Sequence, residues 1–485
     1  MSRRIFAVLL LAGLTTGCAH PGGRASGSPF CEWLGSCPHA WELPPPAAED
    51  RPVVDPARLH RSRLPNGLEV VILEDRRLPQ LDLGLAVRRG GALVPLEKAG
   101  LASFTAELME RGAGERSALE LAAVVDSLGG SLSVGADWDA VTVVVGGLSR
   151  DRDTLFDVLA DVVLRPRFDG DEVERVRAEQ LAGLEKSRED PDTLASWSFA
   201  AALYEGHAYG LPRAGTPETV AGLDADAARA FHGQVFVPGN AVFFAAGDVE
   251  AETLEARVAE AFGSWAEGPT PEPGPEPPLR RERQIVVVDR PDLGQAQVVI
   301  GHAGIARNET RRIPVQVMNT VLGSAGFSSR LMGKIRAEEG LTYGIWSRFV
   351  GRRQRGPFAV GTFTRVPELG RLVSLTLAEL ARIREQPPTA QELAAAKSLL
   401  AGRFALGLET SAAVVSALVD LDVHALPADS LDTYRGRIRA LTEEQVAAAA
   451  RDFVRPDEAA IVVVGPADAV VPQLEPFGEV RIVQP

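Results

Sequence analysis

Cysteine is scarce in this sequence: its 485 residues include three, and all of them precede residue 38. Cys31 and Cys37 lie in a Gly- and Pro-rich stretch without a second pair of cysteines or histidines beside it, so a small disulfide is favoured over a zinc site. Such a bond would close a short loop and stabilise only that loop. We therefore expect residues 19–58 to form a tether outside the folded core.

Positive charge is also in deficit. The 51 lysines and arginines are outnumbered by 65 aspartates and glutamates, which gives a formal net charge of -14. Phosphate binding requires clustered basic side chains, so this balance argues against a nucleic-acid partner. Apolar residues at 45% and charged residues at 24% are ordinary for a soluble globular protein. The length exceeds what one hydrophobic core supports, and two or more domains are expected.

A long apolar run occurs only at the N-terminus, where residues 5–14 are almost continuously apolar after Arg3 and Arg4. A run this short does not span a bilayer comfortably, and its basic flank is typical of an export signal. The alternative, an apolar core helix, is disfavoured because the next forty or so residues offer no fold for it to join.

Gly17-Cys18 ends this segment and resembles the end of a bacterial lipobox, although Thr15 stands where a bulky aliphatic residue is usual. Residues 1–18 are therefore predicted to be a lipoprotein-type signal peptide, with Cys18 as the lipidated first residue of the mature chain. Ala19 after this cysteine favours the outer membrane, at its periplasmic face.

From Leu59 onward, apolar residues recur with the periods of strands and helices. The alternation from Leu81 to Val87 predicts a half-buried strand, and helical spacing follows from Leu101 to Glu110. In residues 59–266, strands are predicted at 67–73, 81–87, 141–145 and 241–246, and helices at 101–110, 118–128, 154–163, 171–187, 193–204, 225–234 and 251–265.

A linker at 267–281 divides the chain; residues 267–278 alone hold six prolines, a density that precludes a helix. Residues 282–485 then repeat the order of the first half, with strands at 285–288, 297–300 and 459–464 and helices at 314–322, 330–338, 368–385 and 390–406. Phe236-Val237-Pro238 and Phe453-Val454-Arg455-Pro456 each precede an apolar strand that ends in glycine. An internal duplication and an α+β fold are expected.

Several short blocks occur in a distinctive order. They are Gly100-Leu101-Ala102-Ser103-Phe104-Thr105-Ala106-Glu107, His207-Ala208-Tyr209-Gly210, Gly215-Thr216-Pro217-Glu218-Thr219, and Ser329-Arg330-Leu331 followed by Arg336, Gly340, Leu341 and Tyr343. This order resembles the insulinase (pitrilysin-type, inverzincin) family of zinc metallopeptidases over roughly residues 60–485. The resemblance implies two homologous α/β-sandwich domains, of sheet and helices, joined by the Pro-rich linker in a clamshell that encloses a peptide.

The zinc-binding motif of that family is replaced in this chain. In an H-x-x-E-H helix, two histidines four residues apart bind zinc and the glutamate activates water. Ser103 and Glu107 stand at the histidine positions, Ala106 at the glutamate position, and Gly183 where the family has its third ligand. The seven histidines form no pair at helical spacing. No metal is therefore expected on this chain, and Glu107, Glu110 and Arg111 are interpreted as a charged helix face.

Arg336 and Tyr343 match an arginine and a tyrosine that the family extends to the substrate from its second domain. A guanidinium donates two hydrogen bonds to a carbonyl or carboxylate, and a phenol stabilises an oxyanion. The structural alternative is a solvated helix arginine and a tyrosine that packs at the start of a strand.

The resemblance leads to a functional hypothesis: a non-catalytic, substrate-binding subunit of a bacterial heterodimeric zinc peptidase. The partner would be a homologous chain with an intact H-x-x-E-H motif, and zinc would be bound by that partner. The alternative is a scaffold or peptide-binding envelope protein without a peptidase role.

Overall fold

The computed structural model of the protein describes residues 52–484. The predicted signal peptide (1–18), most of the predicted tether (19–58), and the predicted lipidation of Cys18 and disulfide between Cys31 and Cys37 lie outside these residues. Residues 52–485 form one compact unit by their internal contacts.

Two six-stranded sheets organise the described part of the chain. The first sheet contains β1 (59–63), β2 (69–74), β3 (80–87), β6 (131–136), β7 (141–148) and β8 (241–247). The short strands β4 (112–113) and β5 (116–117) form a separate two-stranded sheet. The second contains β9 (284–289), β10 (295–303), β11 (345–349), β12 (357–365), β13 (460–465) and β14 (480–483).

Fifteen α-helices occur among residues 52–484. Eight belong to the first domain: α1 (101–109), α2 (118–127), α3 (152–164), α4 (170–189), α5 (191–203), α6 (217–220), α7 (225–235) and α8 (251–262). Seven belong to the second: α9 (312–319), α10 (369–385), α11 (390–406), α12 (411–423), α13 (430–440), α14 (443–453) and α15 (467–474).

The strand orders reveal the internal repeat. The first sheet has the order β1-β2-β8-β3-β7-β6, and the second, taken from its other edge, has β14-β9-β13-β10-β12-β11. In each sheet one inner pair is parallel (β2 with β8, β9 with β13), and the next three pairs are antiparallel. The sheets differ at one edge, where β1 is antiparallel and β14 parallel to its neighbour. The expected α+β fold with two homologous domains is confirmed.

Each domain covers the sheet of the other with one helix. Helix α5 of the first domain packs on β9, β10 and β13, where Leu194 and Phe199 join a buried cluster with Val286 and Val462. Helix α12 of the second domain packs on β2, β3 and β8 in another buried cluster. Because burial of apolar surface is the main stabilising contribution to packing, these two exchanged helices join the domains firmly.

The Pro-rich segment between the domains contains no helix or strand from 264 to 283, and polar contacts with side chains of both domains hold it in place. The carbonyl oxygen of Pro275 lies 3.0 Å from Nε2 of His207 and accepts a 2.8 Å hydrogen bond from Nε2 of Gln354. His207 also accepts a bond from the backbone N–H of Tyr209 at 3.0 Å. His207 and Gln354 therefore both hold the linker at Pro275. His207 also orders the turn that contains Tyr209.

Thr410 caps α12, because its hydroxyl accepts a hydrogen bond from the backbone N–H of Ala413 at 3.1 Å. We expect Thr410→Ala to lower the free energy of unfolding by about 1 kcal/mol, since the first turn loses an acceptor. Urea denaturation measures this loss, and Thr410→Ser, which keeps the hydroxyl, is the matched control. Equal losses in both variants would contradict a capping role.

No single helix among residues 52–484 is long and apolar enough to cross a membrane. Helices α11 and α12 meet the length and composition limits together, but they are bent by 114° at the break between them.

Candidate functional site

The first set of candidate residues lies on α1, which packs against α4, α7 and β6. Gly100 precedes this helix with φ at +96°, a conformation that favours glycine. A Cβ atom there would lie 2.6 Å from the carbonyl oxygen of Ala214, so the close approach also requires glycine. Phe104, Ala106 and Leu108 are buried, whereas Ser103 and Glu107 share a partly exposed face one turn apart.

An arginine occupies the polar side of this face. The Glu107 carboxylate pairs with Nη2 of Arg111 at 2.5 Å, and the same nitrogen lies 2.9 Å from the carboxylate of Glu179 on α4. Burial alone would lower the pKa of Arg111, but the hydrogen bond with Glu107 and the negative charges of Glu107, Glu179 and Glu172 together outweigh burial, and the pKa is raised. A fixed positive charge therefore lies between the two carboxylates.

The donor set on this face does not fit zinc. Zinc in proteins takes three or four nitrogen, sulfur or oxygen ligands. The Ser103 hydroxyl donates to the carbonyl oxygen of Arg213 at 3.0 Å, Ala106 and Gly183 carry no ligand atom, and Glu107 is paired with Arg111. Among residues 52–484, no group of three or more histidines, cysteines, aspartates or glutamates is placed to hold a metal ion.

Glu110 differs from the exposed charged face that the sequence predicts. Its carboxylate accepts a hydrogen bond from the backbone N–H of Val134 on β6, the edge strand of the first sheet. Burial raises the pKa of Glu110. This contact fixes α1 against the edge strand.

The second set of candidate residues forms a cluster of one arginine between two aromatic rings. The guanidinium carbon of Arg336 lies 4.4 Å from the centre of the Tyr343 ring and 4.5 Å from that of Phe327. Both rings are 75% exposed, which leaves them open to a ligand. Within residues 52–484 the Arg336 side chain makes these ring contacts and no ion pair or hydrogen bond, so its donors stay free for a ligand.

Wide helical turns place Arg336 in this cluster. Residues 320–324 and 332–338 form π-helical segments, and Arg336 lies in the second of them. Such turns are rare and occur frequently at functional sites. After them, Gly340 adopts a φ of +64°, and the chain returns past Tyr343 into β11. Arg336 and Tyr343 thereby meet although seven positions separate them.

The structure brings Arg336 together with Tyr343. No hydrogen bond or ion pair within the described range 52–484 joins Ser103 or Glu107 to Arg336 or Tyr343. Sequence reasoning missed Phe327, the second ring over Arg336, because a lone aromatic in a Gly-Phe-Ser turn carries no periodic signal. It also missed the bridge between Arg111 and Glu179, which depends on packing between helices.

Comparison with known proteins assigns the chain to a family. Residues 69–217 match the family described as Insulinase (Peptidase family M16), and residues 222–400 match Peptidase M16 inactive domain. The chain belongs to the M16 (insulinase) peptidase family. This M16 protein is 28% identical to an uncharacterized zinc protease of Streptomyces coelicolor over 84% of its own length and 90% of the relative. It is also 25% identical to a non-peptidase homolog of Helicobacter pylori, over 80% and 88% of the two chains.

Solved structures share the fold. A crystal structure of a peptidase M16 inactive domain from Pseudomonas fluorescens is 28% identical, with a TM-score of 0.79 over 84% of this chain and 98% of the other. A chain of complex III from Candida albicans is 16% identical, with a TM-score of 0.72 over 87% and 100% of the two chains, a likeness of fold alone. The relatives thus include proteins named as zinc proteases and one named as a non-peptidase.

Proposed function

We propose that this M16 protein is the non-catalytic, substrate-binding subunit of a bacterial heterodimeric zinc peptidase. The observation that carries the proposal is a contrast between its two domains. The first-domain helix presents Ser103 and an arginine-paired Glu107, which do not make a zinc site. The second domain presents Arg336 between two exposed rings, with its donors free for a ligand.

A second chain is needed for two reasons. The α1 face does not form a zinc site among the described residues, which supports a homologous partner with an intact H-x-x-E-H motif as the source of zinc and hydrolysis. The domains of one chain also contact each other through two buried apolar clusters, which supports a peptide-enclosing chamber whose opposite wall is formed by the partner. In this arrangement Arg336 donates to a carbonyl of the bound peptide, and the Tyr343 hydroxyl reaches the same backbone.

The proposal places the complex outside the cytoplasm. The basic and apolar segment at 3–14 and the Gly17-Cys18 pair support export and a lipid anchor on Cys18. The complex would then lie at the periplasmic face of the outer membrane.

The decisive experiment mixes this chain with the H-x-x-E-H homologue from the same genome and measures peptide hydrolysis. We expect activity in the mixture and none in this chain alone. Arg336→Ala should lower kcat/KM of the mixture about 10- to 100-fold, the effect of losing a hydrogen bond to a charged donor. Tyr343→Phe should lower it less, because the ring that stacks on Arg336 remains.

Arg229→Ala is the matched control, because this exposed arginine pairs with Asp226 and donates to the carbonyl oxygen of Phe168, both within the first domain. It should leave kcat/KM unchanged. A homologue that is equally active without this chain would refute the proposal and favour the scaffold or peptide-binding alternative.

A further inference from the structure

A pocket between three helices of the second domain has a largely apolar wall. It encloses about 280 Å³ between the end of α11, helix α12 and the start of α13, and we call it the α11–α13 pocket. Its apolar and aromatic lining consists of Phe404, Leu408, Ala417, Leu421, Leu431 and Tyr434. Because a cavity of about 150 Å³ holds a benzene ring, this pocket has room for an indole.

The charged side chains at one end of the pocket compensate one another. The Asp420 carboxylate accepts from Nη2 of Arg307 at 2.6 Å, and its negative charge also acts on Arg312. The amide oxygen of Gln316 accepts a hydrogen bond from the Tyr434 hydroxyl at 2.8 Å. These groups therefore give no reason to expect a charged ligand, and the apolar wall decides what the pocket binds.

Ser430 is the polar residue of the pocket that lacks a partner. It is the first residue of α13 and is 2% exposed. Its hydroxyl oxygen has no hydrogen-bond partner within the described range 52–484. A buried hydroxyl without a partner is unfavourable, so a ligand that donates a hydrogen bond to this oxygen removes that cost. The N–H of an indole is such a donor on an otherwise apolar ring.

The described chain begins beside this pocket. The backbone N–H of Val53 donates to the Asp432 carboxylate on α13 at 2.7 Å. Val53 also packs on the buried cluster between α12 and the first sheet, as do Leu408 and Leu431 of the pocket wall. Leu431 directly precedes Asp432. The predicted tether therefore joins the folded body at the wall of the pocket.

The predicted tether carries a side chain that suits this pocket. Between Cys37 and Pro52, the only large apolar residues are Trp41 and Leu43. Trp41 precedes Val53 by 12 positions, a separation that spans at most about 40 Å when the chain is fully extended. The indole can therefore reach the pocket. Because both belong to one chain, the effective concentration of the indole is on the order of millimolar, so even a weak contact is populated.

We propose that the indole of Trp41 occupies the α11–α13 pocket of its own chain and donates a hydrogen bond to the Ser430 hydroxyl. This contact leaves residues 19–40 as the free part of the predicted tether. In a lipidated chain it therefore fixes which side of the folded body lies near Cys18. The inference is independent of the proposed function, since it requires neither a partner subunit nor zinc.

Fluorine NMR of the soluble chain of residues 19–485, labelled with 5-fluorotryptophan, tests the contact. This chain contains all six tryptophans, and Trp41→Phe identifies the signal of Trp41. We expect this signal to be shifted from its position in urea and to be as broad as the signals of Trp138 and Trp197, which lie in the folded body. A narrow Trp41 signal at the urea position in the native protein would overturn the inference.

Two variants of the pocket identify the place where Trp41 binds. Ala417→Phe fills the pocket and should return the Trp41 signal to its urea position. Ser430→Ala keeps the shape of the pocket and should lower the ratio of docked to free Trp41 about 2- to 10-fold, the effect of one hydrogen bond. Ala160→Phe, in a cleft of the first domain, is the matched control and should leave the signal unchanged.

The signals of Trp138 and Trp197 report whether each variant is folded, so a change at Trp41 can be distinguished from unfolding. A Trp41 signal that stays the same in both folded pocket variants would overturn the inference. A shift that disappears on dilution would also overturn it, because it would place the indole in the pocket of a second copy.

Discussion

Asp139→Ala lowers the free energy of unfolding of this protein by about 3–5 kcal/mol, the range expected when one partner of a buried charge pair is removed. Asp139 is 6% exposed and lies between β6 and β7. Its carboxylate accepts from the backbone N–H of Arg353 at 2.8 Å and from the Tyr209 hydroxyl at 3.1 Å, and it lies 3.4 Å from Nε2 of His424. The variant leaves all three donors without an acceptor at the contact between the domains.

The same contact gives stability a dependence on pH. Burial alone would lower the pKa of His424, but its bonds with Asp139 and Asp420 outweigh burial and raise the pKa to about 9. Because the folded-state pKa exceeds the unfolded value of about 6.5, the stabilisation is complete below about pH 6.5 and is lost as the pH rises through about 9. The full effect is on the order of 3 kcal/mol.

Urea denaturation of the wild type, Asp139→Ala and His424→Gln at pH 6, 8 and 10 measures both effects. The wild type should lose stability progressively from pH 6 to pH 10, and the two variants should lose much less over that range. Asp139→Asn is the matched control for shape, since it keeps an acceptor and loses the charge, and its loss at pH 6 should be the smaller one. An identical pH profile in His424→Gln and the wild type would contradict the role of this contact.

Elements with a clear period were predictable, and those that depend on distant partners were not. The strand at 80–87 and the helix at 101–109 follow the alternation and helical spacing of their apolar residues. Strand β6, with the sequence Ser-Leu-Ser-Val-Gly-Ala, has few apolar residues and is defined by pairing with β7. Strands β11 and β12 and the helices from 411 to 453 were likewise not predicted.

Long-range packing explains what the sequence leaves open about the site. Helix α12 is apolar over much of its surface, but no local sequence pattern predicts that it packs on the sheet of the other domain. The pairing of Arg336 with Tyr343 was expected only from the family resemblance, and the structure supplies its geometry through a π-helical turn.

The prediction with the largest effect concerns zinc. The triple variant Ser103→His, Glu107→His, Gly183→Glu should change the zinc content from about zero to about one ion per chain, because it supplies two histidines one helical turn apart and a carboxylate on α4. Helix α4 packs on α1, and no described heavy atom lies within 4 Å of a Cβ atom built at Gly183, so the carboxylate has room. Ala106 is left unchanged, since it is buried and a glutamate there serves hydrolysis rather than metal binding.

Arg111 decides how well this site forms. Replacing Glu107 removes one of its two partners, but the 2.9 Å pair with Glu179 remains and holds the guanidinium on the α4 side. Zinc content after gel filtration measures the outcome, and a free zinc concentration of 100 times Kd should stabilise the triple variant by about 2.7 kcal/mol. The variant Ser103→His, Glu107→His is the matched control, because two ligands without the carboxylate bind zinc far more weakly. A folded triple variant without zinc would show that positions 103, 107 and 183 do not converge as the family resemblance implies, and the reason for a catalytic partner would then have to be sought elsewhere.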